Sequence, residues 1–125
     1  MLDRMTDAID FHGKALQLRA QRQEVLSSNI ANADTPGFKA RDFDFATALK
    51  GAAGGAVNGH ANGANANAPM ARLQYTTPEQ ASLDGNSVDL NRERAAFADN
   101  SLRYEATLRF INSRVRTMMT AIRGE

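Results

Sequence analysis

The sequence predicts a mainly α protein. Long N-terminal and C-terminal helices pack as an antiparallel, coiled-coil-like pair, with an irregular, partly extended central region and a flexible loop between them. Three observations predict this. Apolar residues recur at helical, near-heptad spacing in both terminal segments. The stretch 51–69 is low in complexity and has almost nothing to bury. The large apolar residues are scarce: Leu, Ile, Val and Phe number 10, 4, 4 and 6, or 24 of 125 residues. That lies just under the ~20% at which a packed core becomes doubtful, yet the net charge of +1 is far from that of a disordered polyelectrolyte. A large α/β enzyme core is excluded. A small helical assembly, or a chain that completes its core on a partner, is favoured.

Residues 1–35 form the first segment. Leu2, Met5, Ile9, Leu16, Leu26, Ile30 and Ala33 fall on two rows spaced by seven and offset by three, interrupted by His12, Arg19 and Gln23. A neighbouring strip of Ala8, Phe11, Ala15, Leu18 and Val25 widens the apolar face. Gly13 costs about 1 kcal/mol relative to Ala in a helix interior, so this helix is weak alone. Its end is marked by Asp34-Thr35-Pro36-Gly37. Proline forces Thr35 into extended geometry, which stops the helix by Asp34. Pro36 and Gly37 suit the central positions of a type II turn, whose second residue needs positive φ.

Residues 36–86 form the central region. Phe38, Phe43 and Phe45, with Arg41, Asp42 and Asp44 among them, read as a short extended piece or an irregular segment pinned by aromatics. Seven Ala, five Gly and four Asn dominate 51–69, a composition that reads as a mobile loop because the glycines oppose a helix. Arg72 to Thr76 suits a short strand. Thr77-Pro78-Glu79-Gln80 resembles a capping box, and Asp84-Gly85 marks a turn.

Residues 87–125 carry the strongest periodicity. Leu90, Phe97, Tyr104, Ile111 and Met118 repeat every seven residues, and Leu108, Val115 and Ile122 form a second row four positions after three of them. These eight residues are the expected helix-packing seam. Arg94 and Ser101 make it imperfect in its first half, and the N-terminal helix is its natural mate.

The absence of cysteine removes disulfides, thiolate catalysis and Cys-based zinc sites. No apolar run approaches the ~18 residues a membrane span needs, and Asp3, Asp7 and Asp10 argue against a Sec-type signal peptide. His12 and His60 are the only histidines. Asp10 lies two residues from His12 and points away from it on a helix, so His12 reads as a part-buried or interface residue, not a metal ligand. Asp42 and Asp44 have no histidine or pocket residue to work with. No catalytic residue, cofactor-binding residue, metal ligand or cofactor is assigned. Arg109, Arg116 and Arg123 form a row beside the seam, suited to solvent or a protein partner; no aromatic or base-reading residues accompany them for nucleic acid. Ser27, Ser28, Asn29, Asn32, Asp34 and Thr35 crowd polar side chains around the end of the first helix. Such a cluster suits a place where helices pack against several neighbours and need specific hydrogen bonds to fix register.

That block resembles the N-terminal signature of the bacterial flagellar rod and hook family, which reads S-x-N-I-A-N-x-x-T-P-G-[FY]. Ser27, Asn29, Ile30, Ala31, Asn32, Thr35, Pro36, Gly37 and Phe38 match it in order. Three further stretches narrow the resemblance to the family's proximal rod subunits. They are Leu16-x-Leu18-Arg19 with Arg22-Gln23, Lys39 through Phe45, and Gly85-Asn86-Ser87-Val88-Asp89-Leu90 leading into a helix with Tyr104. The short chain agrees with a proximal subunit. The resemblance covers 10–50 and 84–125 and leaves out the Ala/Gly/Asn stretch.

It implies a structural subunit, not an enzyme: a proximal rod protein of the flagellar basal body that polymerises helically around the export channel and transmits torque from the membrane ring to the distal rod and hook. The implied partners are copies of itself and other rod subunits, the adapter protein FliE, the membrane (MS) ring and the export gate, with no nucleic acid and no direct membrane span. The implied location is the periplasmic rod, reached through the flagellar type III apparatus without a cleaved signal peptide. The motif residues are then assembly residues. Without the motif, the residues read as a small coiled-coil adaptor or export chaperone that folds on a partner, although such chaperones are usually acidic and this chain, at +1, is not.

Overall fold

The computed structural model describes residues 2–53, 74–76 and 83–124. Two long helices, α1 (Leu2–Ala31) and α3 (Leu90–Arg123), run antiparallel along each other and make the main tertiary contact. Asn29 lies level with Glu93, Gln23 with Asn100 and His12 with Phe110, so the pairing runs from the end of α1 at Asn29 to at least His12 and Phe110. This is the expected antiparallel helical pair with an irregular central region.

α1 stops three residues before Asp34. Asn32 turns back on the helix, its Nδ2 donating to Ser28 O at 2.8 Å, and Thr35 N donates to Asn32 O at 3.1 Å. The turn that follows closes with Phe38 N donating to Thr35 O at 3.2 Å. Gly37 sits at φ 75°, as a type II turn requires of its second central residue.

The central region departs from the sequence expectation in one place. The extended piece, β1 (Arg41–Asp42), lies ahead of Phe43, and Phe45 opens a helix, α2 (Phe45–Ala53). Asp44 explains the switch: its carboxylate accepts from Thr47 N at 3.3 Å and from Thr47 Oγ1 at 2.9 Å, capping the helix. Gly51, Ala52 and Ala53 of the low-complexity stretch belong to α2; the rest of it, 54–69, lies outside the described residues, as does the Thr77-Pro78-Glu79-Gln80 motif. The strand expected around Arg72 to Thr76 is β2 (Gln74–Tyr75), antiparallel to β1 with Arg41 opposite Tyr75.

α3 starts at Leu90 because Asp89, in extended geometry, caps it: the side chain accepts from Arg92 N. Gly124, left-handed at φ 72°, ends it. The core is small and gathers at one end of the pair. Ala15, Leu18, Leu26, Ala40 and Phe43 are its buried apolar members, and Asn29, Asn86, Ser87, Glu93 and Asn100 are buried beside them. On α3 no described residue beyond Asn100 is fully buried. None of the described helices is long and apolar enough to cross a membrane.

Candidate functional site

The motif turn is held by α3's leader segment. Asn86, 5% exposed, aims its Nδ2 at three carbonyls of the turn: Asn32 O and Ala33 O at 2.9 Å and Thr35 O at 2.8 Å. These carbonyls follow the C-terminus of α1; Asn32 O and Thr35 O also accept from Thr35 N and Phe38 N within the turn, and the one tertiary amide adds a hydrogen bond to each and serves Ala33 O as well. The Asn86 oxygen accepts from Val88 N at 2.8 Å, which fixes the amide's orientation. Around it the backbone is laced across: Gly37 N to Asp84 O at 2.8 Å, Ser87 N to Phe38 O at 2.9 Å, and Ala40 N to Ser87 Oγ at 2.8 Å. Lys39 Nζ reaches Gly85 O.

Asn29 is the second anchor. It is 1% exposed and works like a strand partner for Arg41: its Oδ1 accepts from Arg41 N at 3.1 Å and its Nδ2 donates to Arg41 O at 2.6 Å. The same Nδ2 donates to Glu93 Oε2 at 3.1 Å, so one amide joins α1, β1 and α3. Burial pushes the Glu93 carboxyl above its ordinary range. Nearby Asp42 acts in the same sense, while the Asn29 hydrogen bond, Arg92 and Arg22 oppose it. Arg22 grips Asp42 as a fork, Nε to Oδ1 and Nη2 to Oδ2, both at 3.2 Å.

Further along the pair the seam is also polar. Asn100 Nδ2 donates to Arg19 O at 2.9 Å and to Gln23 Oε1 at 2.8 Å, and Gln23 Nε2 donates to Ser101 Oγ at 2.6 Å. The Arg19 guanidinium lies 4.1 Å over the Phe45 ring, pinning α2 to α1. Burial, with Arg103 and Arg22 nearby, lowers its affinity for its proton, and Asp99 opposes that. His12 packs 4.3 Å from Phe110 and edge-on to Phe11. Among the described residues no group of acidic and histidine side chains is placed to hold a metal.

The motif residues thus divide. Asn29 and Asn32 are used inside the chain, and Ile30 and Phe38 are half-buried. Ser27, Ala31, Thr35, Pro36 and Gly37 are exposed. A cleft of about 530 Å³ opens beside them, lined by Val25, Ser28, Asn29, Gly37, Phe38, Lys39, Arg41 and Tyr75. Of the expected seam, Leu90, Phe97, Tyr104, Ile111 and Met118 are half-buried, whereas Leu108, Val115 and Ile122 are exposed, Ile122 to 72%. The buried α3 residues that meet α1 are the polar Glu93 and Asn100, with Ser101 bonded to Gln23 beside them. Hydrophobicity could not reveal them. The signal was a seven-residue polar spacing, Glu93, Asn100 and Thr107.

Residues 9–39 match the family described as flagella basal body rod protein. Over the full chain, the sequence is similar to the flagellar basal body rod protein FlgB of Salmonella typhimurium, at 48% identity with 99% of each chain covered. It is 47% identical to the FlgB of Escherichia coli K12, again over 99% of each. It is 44% identical to that of Aeromonas hydrophila, over 94% of each.

Proposed function

The chain belongs to the FlgB family of flagellar basal body rod proteins, and from that premise we propose that it is a structural subunit of the proximal rod. In this reading it polymerises helically around the export channel and carries torque from the membrane ring toward the distal rod and hook. The observation that carries the reading is the imbalance of the helix pair. At the motif end the chain satisfies itself through Asn29, Asn86 and Glu93. Toward the other end Leu108, Val115, Met119 and Ile122 stay exposed. An elongated subunit with one finished end and one unfinished flank is suited to completion by neighbours.

The neighbours proposed are other copies and other rod subunits, with FliE, the MS ring and the export gate at the rod's base. Ser27, Thr35 and Pro36 and the exposed part of the α3 seam are the proposed contact residues. Export through the flagellar type III apparatus fits a chain whose isolated helices are only marginally stable. No catalytic activity is proposed.

The test is the basal body of a deletion strain. The rod reading expects basal bodies without a rod, and restoration of rod and motility by the full chain. An intact rod lacking only a transported client would overturn it in favour of an export chaperone.

A further inference from the structure

We propose that copies of this chain associate edge to edge, the arginine row Arg109, Arg116 and Arg123 of one copy seating on Asp3, Asp7 and Asp10 of the next. This rests on the rod-subunit reading and adds which two edges meet. At about 100° per residue, the three aspartates share one side of α1, opposite the side on which His12, Arg19 and Gln23 meet α3. The three arginines share one side of α3, opposite Glu93 and Asn100. The pair therefore carries an acidic outer edge and a basic outer edge at the same end, on opposite flanks.

All six side chains are exposed. Asp3, Asp7, Arg116 and Arg123 have no partner among the described residues. Asp10 pairs with Lys14 and Arg109 with Glu105, within their own helices and in water, where such pairs contribute only about 0.3–0.5 kcal/mol and exchange readily. Exposed Leu102, seven residues before Arg109, and Met119, three after Arg116, lie on the same side of α3, adding apolar area to that edge.

The spacing also matches. Asp3 and Asp10 are seven residues apart, and so are successive arginines. Asn29 is level with Glu93 and His12 with Phe110, which puts Asp3 level with Met119 and Asp10 with Asn112. A stagger of three residues, about 4.5 Å, sets Asp3 beside Arg116 and Asp10 beside Arg109 together. A stagger of four the other way, about 6 Å, sets Asp3 beside Arg123 and Asp10 beside Arg116. In both senses two pairs form at once, and because the two edges differ the contact repeats as an open row instead of closing into a dimer.

The chain has no cysteine, so the test is direct. Within one copy Asp3 and Arg116 lie on opposite edges, about 20 Å apart, too far for a disulfide. Basal bodies from cells carrying Asp3→Cys with Arg116→Cys, or Asp3→Cys with Arg123→Cys, are oxidised and run on a non-reducing gel. A ladder of dimer and higher multimers in one double variant, absent from each single variant, is expected. No ladder from either double variant, in basal bodies that contain the protein, would overturn the edge contact and leave the rod reading standing. Absence of the wild-type chain from basal bodies would overturn the rod reading itself. Should the cysteine variants not incorporate, a charge swap decides. Asp3→Arg with Asp10→Arg abolishes motility, and adding Asp at all three arginine positions restores it; no restoration would overturn the proposal.

Discussion

Replacing Asn86 tests whether one tertiary amide holds the motif turn. In the native chain its Nδ2 serves three carbonyls at 2.8–2.9 Å in a site 5% exposed. A net hydrogen bond contributes about 0.5–1.5 kcal/mol. The three acceptors share only two protons, and the turn's surface lets water reach part of what Asn86→Ala uncovers. A loss of about 2 kcal/mol follows. At roughly 4 °C per kcal/mol for a chain of this size, the melting temperature falls by about 8 °C. Asn86→Asp is the sharper variant. It keeps the acceptor for Val88 N but turns a charged oxygen toward three carbonyls at the negative end of α1, so it is more damaging than Ala despite its closer shape. Circular dichroism melts of the three proteins side by side provide the measurement. If Asn86→Asp melts at or above Asn86→Ala, the amide is not acting as a donor to these carbonyls and the reasoning fails.

Three other expectations follow from the same geometry. At Gly37 an added Cβ meets nothing within 4 Å, so the cost of Gly37→Ala is conformational alone, about 1–2 kcal/mol; a melting temperature equal to wild type would contradict the positive-φ argument. Burial raises the folded-state affinity of Glu93 for its proton, so the native state binds more protons than the unfolded one between the two values. Stability then rises as pH falls through the folded value and levels off below the unfolded one. Glu93→Gln keeps an acceptor for Asn29, flattens that part of the profile and raises stability at neutral pH; identical urea profiles for the two proteins from about pH 5 to 7 would refute it. Amide exchange in the dilute monomer is expected to be slow around Leu18–Asn29 and Asn86–Asn100 and fast toward the N-terminus of α1 and the C-terminus of α3, where no described residue of α3 is buried; uniform protection along both helices would mean the pair is complete without neighbours.

Much of the fold was legible because its signals are local. The row from Leu90 to Met118 specifies a long helix whatever it packs on. Thr35-Pro36-Gly37 fixes both the end of α1 and the turn type. What was not legible depends on distance or on polarity. Asn86 caps carbonyls more than fifty residues earlier in the chain, and no spacing announces that. α2 was hidden because Phe43 and Phe45 read as an extended or irregular piece and Gly51 opens the low-complexity stretch, while its cap, Asp44 with Thr47, carries no apolar signal. A search for apolar rows passes over Glu93 and Asn100, the buried residues of α3, and keeps Leu108, Val115 and Ile122, which are exposed. Arg22 stood out only through the family resemblance and Asp42 was weighed only beside Asp44; the fork that joins Arg22 to Asp42 spans twenty residues and no spacing announces it.

The polar seam has a physical consequence for register. The apolar rows of α1 and α3 repeat at sevens, and a repeat of that kind tolerates a slip of one heptad with little loss of contact area. The buried amides do not tolerate it. Asn100 now meets Gln23; a slip of seven would set it beside Leu16 or Ile30. Glu93 would leave Asn29 for the level of Pro36, or for that of Arg22, which it could pair with only by competing with Asp42. Each orphaned polar group costs about 1–3 kcal/mol, more where it is charged, so the shifted alignment loses several kcal/mol against a pair with little apolar core to begin with. Hydrophobic burial brings the two helices together, and Asn29, Glu93, Asn100 and Gln23 decide how. Beside these polar contacts, Leu102, Leu108, Val115 and Ile122 of α3 stay exposed among the described residues, apolar area that suits a neighbouring molecule.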